Sequence, residues 1–201
     1  MPTLQPPAHG TLKLIAFGLE NCDSELSEFC AARGGGHNVT VPRHVLLAAL
    51  ARKGERRVNL LLDTRCFPNG ASTERRPRHP GTHPNNISEI VNHRNFRKFL
   101  QRTAEPEWRK AHEQQRAAGR VEEDFVVAAF CKSGKHRSVA IAECLCYIGV
   151  SEGFKLKDRV RYLSEPAWRR MCKGNFDECL SDRDGLRRKS LQLALNIWRR
   201  C

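Results

Sequence analysis

The sequence predicts an α/β fold, a layered domain with a mostly parallel sheet flanked by helices and a phosphate-binding loop at a strand–helix junction. Three observations carry this expectation. Strand-like and helix-like patterns follow one another as strand, helix, strand, helices, strand, helices, the order that a parallel sheet with crossover helices requires. Phe125-Val126-Val127-Ala128-Ala129-Phe130 is an apolar, β-branched and aromatic run of strand length with no polar alternation, as in a strand covered on both faces. The polar constellations Asp63-Thr64-Arg65 and Cys131 to Ser138 both fall at the carboxyl ends of predicted strands, where open parallel sheets bind ligands.

Taken in order, residues 1–10 read as a flexible N-terminal tail, and Leu12 to Gly18 as the first strand. A polar connector follows, and its Gly34-Gly35-Gly36 reads as a flexible loop, because no strand leads into it and no Lys follows closely. Pro42 to Ala51 predicts a helix with Pro in its first turn and Leu46, Leu47 and Leu50 on its inner face. Arg57 to Leu62 predicts a second buried strand, ending in a turn marked by Pro68 and Asn69-Gly70. The stretch Ala71 to Asn86 is long, basic and interrupted by Pro and Gly, a candidate lid or nucleic-acid contact.

Asn92 to Thr103 predicts an amphipathic helix with Phe96, Phe99, Leu100 and Thr103 on one face. Pro106 opens another, Glu107 to Ala118, stopped by Gly119. After the buried strand 125–130, Val139 to Ile148 is apolar on nearly every face except Glu143, with Gly149 where a helix end would want it. Lys155 to Met171 reads as helical and basic, interrupted near Pro166, and a last helix runs through Leu191, Ala194, Leu195 and Trp198. Trp108, Trp168 and Trp198 sit at helical positions and read as core. The organisation expected is a tail over 1–10, an α/β domain over 11–150 and a C-terminal helical extension over 151–201 packed on the same domain.

With 201 residues and 40% apolar composition, the chain is long enough for one well-packed core. No apolar run approaches the ~18 residues of a membrane helix, and Met1 to Gly10 lacks the pattern of a secretory signal, so a cytoplasmic protein with no membrane association is expected. Nine cysteines is an odd count without a CxxC or CxxH pair, which points to reduced thiols and to neither a metal nor a cofactor. The formal charge of +13 favours anionic partners, a phosphorylated small molecule or RNA. The RNA-binding candidates are Arg75, Arg76 and Arg78 in the long loop and Arg94, Arg97 and Lys98 on the helix after it. A homo-oligomer is left open.

The chemistry concentrates in Cys131-Lys132-Ser133-Gly134-Lys135-His136-Arg137-Ser138. A loop between a buried strand and a helix points its backbone N–H groups and the positive end of the helix dipole at one small volume. Lys132, Lys135, His136 and Arg137 surround that volume, which reads as a pocket for phosphate or a similar anion. Two uses of it stand side by side. Cys131, five residues, Arg137, then Ser138 is the Cys-x5-Arg-Ser/Thr pattern of cysteine-dependent phosphatases. In it Cys131 would attack phosphorus, Arg137 would hold two phosphate oxygens, Ser138 would hydrogen-bond the thiolate, and Asp63 or Asp124 would protonate the leaving group. Alternatively the same amides and Arg137 hold a phosphorylated metabolite without a covalent step, and Cys131 is a small buried residue. An ATP-hydrolysing P-loop is disfavoured, since His136 follows Gly134-Lys135 where Ser or Thr is needed. Asp63, by spacing alone, reads as a turn cap.

The run Cys131 to Val139 followed by Ile141-Ala142-Glu143 resembles the Cys-x-Gly-Gly-Lys-His-Arg-Ser-Val…Ile-Ala-Glu motif of the RapZ C-terminal domain family, the bacterial RNase adapters. Leu62-Asp63-Thr64-Arg65-Cys66-Phe67-Pro68-Asn69 is similar to that family's Asp-x-Arg-x-x-Pro-Asn segment, and Ile15-Ala16-Phe17-Gly18 to its first strand. The likeness covers roughly residues 12–150. It departs at Lys132, at Ser133 in place of Gly, and at Gly70-Ala71-Ser72, where the family carries a His. The resemblance implies an α/β domain that senses glucosamine-6-phosphate and binds a small RNA, presenting it to a ribonuclease. It implies Asp63, Ser133, Gly134, Lys135, His136 and Arg137 as pocket positions, to which Arg65, Lys132 and Ser138 are added from the constellations themselves. Binding is favoured over catalysis.

Overall fold

β1 (His9–Gly18) is the central strand of a sheet in which every pairing is parallel. The computed structural model describes residues 9–35, 39–67, 79–168 and 185–201. On one side β1 pairs with β3 (Phe125–Cys131), in register from Leu12 opposite Phe125 to Gly18 opposite Cys131. β3 pairs in turn with β2 (Leu60–Asp63), which ends with Asp63 opposite Phe130. On its other side β1 meets β4 (Phe154–Leu156) and then β5 (Arg161–Tyr162). The expected α/β architecture is present. Its first strand starts earlier than the sequence suggests, because pairing with Phe154 draws His9 and Gly10 out of the expected tail and into the sheet.

All seven residues of β3 are buried, as its uninterrupted apolar run requires. β2 is shorter than expected and alternates buried with half-buried positions, as an edge strand does. Before it, Asn59 replaces ladder pairing with a side chain: its N–H donates to Val126 O (2.9 Å) and its Oδ1 accepts from Val126 N (2.8 Å). The period-two geometry of the strands sorts the core into two layers. Leu12, Leu14, Leu62, Phe125, Val127 and Ala129 face one, and Ile15, Phe17, Val126, Ala128 and Phe130 face the other.

The second layer is closed by α1 (Ser24–Ala31) and α2 (Arg43–Arg52). α1 lies in the stretch expected to be a connector. Asp23 caps it by accepting from Leu26 N, and the left-handed glycines Gly34 and Gly35 close it, with Gly35 N donating to Cys30 O. In α2 the buried residues are Leu46, Ala49 and Leu50, while Leu47 is half-buried.

The first layer is covered by α3 (Pro84–Asn92), α4 (Arg94–Phe99), α5 (Glu105–Ala117), α6 (Arg137–Ser151) and α8 (Leu186–Trp198), with the short α7 (Glu165–Trp168) at the sheet edge. α3 takes over the end of the long loop, its first turn opened by Pro84 and capped by His83. α4 and α5 are joined without a break by a π turn, Leu100–Ala104, in which Glu105 N–H donates to Leu100 O. The wide turn inserts one residue into the helical count, so Ala104 is buried and the expected inner residue Thr103 is exposed. Pro106, lacking an N–H for Arg102 O, sits just beyond it.

Two further expectations are corrected. Gly149 is not a helix stop but an interior residue of α6, where an added Cβ would lie 2.3 Å from Leu12 Cδ2; the left-handed residue past the helix is Gly153. The expected helix Lys155 to Met171 is not one over residues 155–164, and its end at 169–171 lies outside the described residues. Leu12 and Ala16 of β1 offer an open edge, and Lys157 N and Leu163 N donate to their carbonyls, so this stretch folds as β4 and β5 and becomes helical only from Glu165. Glu143, the polar exception in the apolar run 139–148, is buried, receiving Tyr162 Oη–H and the Arg187 guanidinium. Trp108, Trp168 and Trp198 are all buried, as expected. Among the described residues the seven cysteines are free thiols, and no helix is long and apolar enough to cross a membrane.

Candidate anion-binding loop

β3 ends at Cys131 and α6 begins at Arg137; the five residues between them lie across the end of β1. Gly18, the last residue of β1, makes this crossing possible. A Cβ there would lie 2.2 Å from Ser133 C and 2.4 Å from Gly134 N. Gly134 answers from the other side: its φ of +69° is the left-handed conformation that glycine adopts freely, and a Cβ on it would meet Gly18 N at 2.4 Å.

The five carbonyls of this loop are each taken by a donor on its outer side. Glu20 N donates to Lys132 O (3.0 Å) and Asn21 Nδ2 to Ser133 O (3.0 Å). Trp168 Nε1 donates to Gly134 O (3.1 Å), Gly81 N to Lys135 O (2.8 Å), and Ala140 N to His136 O (2.9 Å). A trans peptide sets its N–H opposite its C=O, and no described peptide is cis. Each of the amides of Ser133, Gly134, Lys135, His136 and Arg137 is therefore turned away from the donor that holds the carbonyl of its own peptide. Gly134 N–H shows the direction, donating to Cys131 Sγ (3.3 Å). Ser138 Oγ approaches the same sulfur at 3.3 Å. The loop runs into the start of a 15-residue helix, whose N-terminal end carries partial positive charge.

The cations around it divide into buried and half-buried. Lys135 and Arg137 are only 7% and 5% exposed. Arg137 Nη1 donates to Phe67 O (2.8 Å) and Arg65 O (3.3 Å), so one guanidinium nitrogen fastens the turn after β2 to the start of α6. Arg65 and Asp63 face one another: Asp63 accepts from Arg65 N (2.9 Å) and from its Nη2 (2.6 Å). That carboxylate raises the Arg65 pKa above its ordinary value. Arg65 Nη1 also donates to Val39 O (2.7 Å), and its guanidinium lies over the Phe130 ring. Lys132 pairs loosely with Glu20 at 3.5 Å on the surface. Cys131 is 1% exposed, at the bottom of the curl.

The structure thus brings Cys131, Lys135, Arg137 and Ser138 together, with Asp63 and Arg65 on the adjoining strand end. It does not bring Asp124 there. That residue precedes β3, bonds Lys157 Nζ (2.6 Å), and lies about 20 Å away along the seven-residue strand. Of the RNA candidates, Arg94, Arg97 and Lys98 are exposed on α4, and Arg75, Arg76 and Arg78 lie outside the described residues, as do Pro68, Asn69 and Gly70. Sequence reasoning missed the residues that hold the loop from outside, Asn21, Gly81, Ser164 and Trp168. Gly18 and Gly81 were visible as glycines beside predicted strand and loop ends. Ser164 and Trp168 gave no signal, because their segment read as a helix.

A model of the RapZ C-terminal domain matches residues 51–164, from the end of α2 through β2, β3, the loop and α6 to just past β5. No curated protein and no solved structure matches the chain.

Proposed function

We propose that this chain, which belongs to the RapZ C-terminal domain family, binds a phosphorylated metabolite at Cys131–Ser138, a sugar phosphate of the glucosamine-6-phosphate kind, and has an RNA adapter role through its basic exterior. One observation supports the first part above all: the five consecutive loop carbonyls are each held by a donor, so that each peptide's N–H faces away from that donor and is left for a ligand. A phosphate there would accept from the amides of Ser133 to Arg137, with Ser138 Oγ–H and Arg137 Nε and Nη2 in reach; Lys132, Lys135 and His136 add positive charge. Asp63 and Arg65, on the neighbouring strand end, would meet the hydroxyl or amine groups of the sugar. The exposed Arg94, Arg97 and Lys98 on α4, with Arg75, Arg76 and Arg78, are the RNA-contact candidates.

A second reading, a cysteine-dependent phosphatase, is favoured by the hydrogen bond from Gly134 N and the contact of Ser138 Oγ with Cys131 Sγ. Against it, the candidate acid at the adjoining strand end, Asp63, is committed to Arg65, and one nitrogen of Arg137 is committed to backbone carbonyls. Isothermal titration with inorganic phosphate and glucosamine-6-phosphate separates the readings. A binder retains its affinity in Cys131→Ser and turns over no aryl phosphate, whereas Arg137→Lys, which cannot fork two oxygens, weakens binding on the order of tenfold. Aryl phosphate turnover by the wild type that vanishes in Cys131→Ser would establish the enzyme. RNA retention that does not weaken from low to high salt would sink the adapter reading.

A further inference from the structure

We infer that Trp168, four residues beyond the end of the family match, is a positioning residue that latches the anion loop in its amide-inward state; this rests on the phosphate site proposed above. The Gly134–Lys135 peptide is the one whose carbonyl a tryptophan holds. Turning it over rotates ψ of Gly134 and φ of Lys135, and Gly134, at φ +69° with no Cβ, sets no side chain of its own against that rotation. Turned over, it would aim the Gly134 carbonyl into the concavity and the Lys135 N–H out of it, replacing a donor to the anion with an acceptor that repels it.

One hydrogen bond opposes that rotation, and Ser164 packs beside Gly134. Trp168 Nε1 donates to Gly134 O at 3.1 Å from a side chain only 2% exposed, so water is poorly placed to substitute for the indole. Ser164 Oγ accepts from Gly18 N (2.9 Å) and occupies the place where a side chain on Gly134 would stand, 2.5 Å from that Cβ position. Trp168 is carried on α7, directly after β5, and its ring lies 6.1 Å from that of Tyr162. Tyr162 donates to Glu143 on α6, the helix whose N-terminus forms the site. The latch is therefore anchored on the same helix that it serves.

Trp168 also reports on the site. The other two tryptophans pack against each other at 5.7 Å, beside Phe125 and Phe154, and Phe125 lies at the far end of β3 from the loop, about 20 Å away. Of the three indoles, that of Trp168 is the one bonded to the loop. An anion accepting from Lys135 N–H polarises the peptide whose oxygen Trp168 holds, which strengthens and shortens the indole bond.

The experiment titrates the full chain with inorganic phosphate, following heat by calorimetry and the indole N–H resonances of protein labelled with ¹⁵N-tryptophan. In the wild type one of the three indole resonances moves, saturating with the calorimetric affinity, and two stay in place. Trp168→Phe removes the moving resonance and weakens phosphate binding on the order of fivefold, the factor that one neutral hydrogen bond represents. Its two remaining indole resonances keep their positions, which shows the fold intact. Absence of heat in the wild type would overturn the phosphate site itself. Heat in the wild type with three unmoved indole resonances, or with undiminished affinity in Trp168→Phe, would overturn the latch and leave the site standing. The wild-type resonances decide the matter even where Trp168→Phe does not fold.

Discussion

Gly18→Ala is the smallest change that tests whether the loop is held by close packing against β1. Gly18 has no positive φ, so alanine meets no backbone strain, and as a strand residue alanine is no worse than glycine. Space is the whole issue. The added carbon would stand 2.2 Å from Ser133 C, 2.4 Å from Gly134 N and 2.5 Å from Ser133 O, all of them backbone. Carbon atoms rest at about 3.5 Å or more, so the loop must retreat by more than about 1 Å. No rotamer change can absorb that. Overpacking of this kind costs about 1–3 kcal/mol, and a value near 3 is expected here because the obstruction is main chain. For a chain of this size that corresponds to a fall in Tm of about 6–12 °C. The retreat also spoils the convergence of the amides, so phosphate affinity falls more than tenfold. Gly54→Ala provides the contrast: its φ is +87° but nothing lies within 4 Å of the new carbon, so it loses only about 1 kcal/mol to strain and keeps its affinity. Urea denaturation and calorimetry read both. If Gly18→Ala were within 0.5 kcal/mol of wild type, or bound phosphate equally well, the packing argument would be wrong.

Two further outcomes are expected. Arg187→Ala strands the Glu143 carboxylate in the protein interior with only the Tyr162 hydroxyl, and should cost about 3 kcal/mol in a urea titration, against about 1 kcal/mol for Tyr162→Phe; equal losses would mean that the ion pair holds Glu143 no more strongly than the hydroxyl does. Asp23 caps α1 and bonds Arg52 Nε at 3.0 Å, and the Arg52 guanidinium holds its carboxyl pKa below the ordinary value of 3.8. A folded-state pKa below the unfolded one adds stability that is full above the unfolded value and is lost as the pH falls through the folded one. Asp23→Ala should therefore lower stability by about 1 kcal/mol at neutral pH, with the difference from wild type vanishing at strongly acidic pH; a gap that persists undiminished there would assign the effect to packing alone.

The parts of this molecule that were legible in the sequence are those whose signal is local. β3 announces itself because seven residues covered on both faces must all be apolar. The loop 131–138 is visible because a strand, a glycine-bearing cationic turn and an apolar helix follow one another within about thirty residues. β4 and β5 were illegible because their strand character is borrowed: Lys155 to Tyr162 is charged, exposed in most of its residues, and becomes a strand only through the free edge of β1. The π turn was illegible for a different reason. A helical wheel assumes a constant 3.6-residue turn, and one inserted residue moved the buried position from Thr103 to Ala104. At the site, Asp63 was recognised as a polar residue at a strand end, but its commitment to Arg65, two residues on, is a matter of side-chain reach that spacing does not reveal.

On the proposed phosphate-binding reading, the division of the site into a bonded interior and a salt-bridged rim decides where binding energy would come from. The loop carbonyls are held from four separate places: the end of β1, the turn at Gly81, the edge helix at Trp168, and α6 itself. Each of these donors orients an amide before any ligand arrives. An anion entering the loop therefore meets groups whose ordering is already complete, and the entropy of arranging them is charged to folding and not to binding. The rim works in the opposite sense. Lys132 must leave Glu20, and Arg65 must share Asp63, before either can serve an incoming charge. The Lys132–Glu20 pair contributes at most about 1 kcal/mol, so trading it returns little, and Arg65 is already held by its Nε and Nη2 on the Asp63 carboxylate. On the proposed reading the inner amides and Arg137 would be the source of affinity, while Glu20 and Asp63 would act as a filter. A bare polyanion gains nothing from those two carboxylates, whereas a ligand with one anionic end and hydroxyl or amine groups behind it can satisfy both the interior and the rim at once.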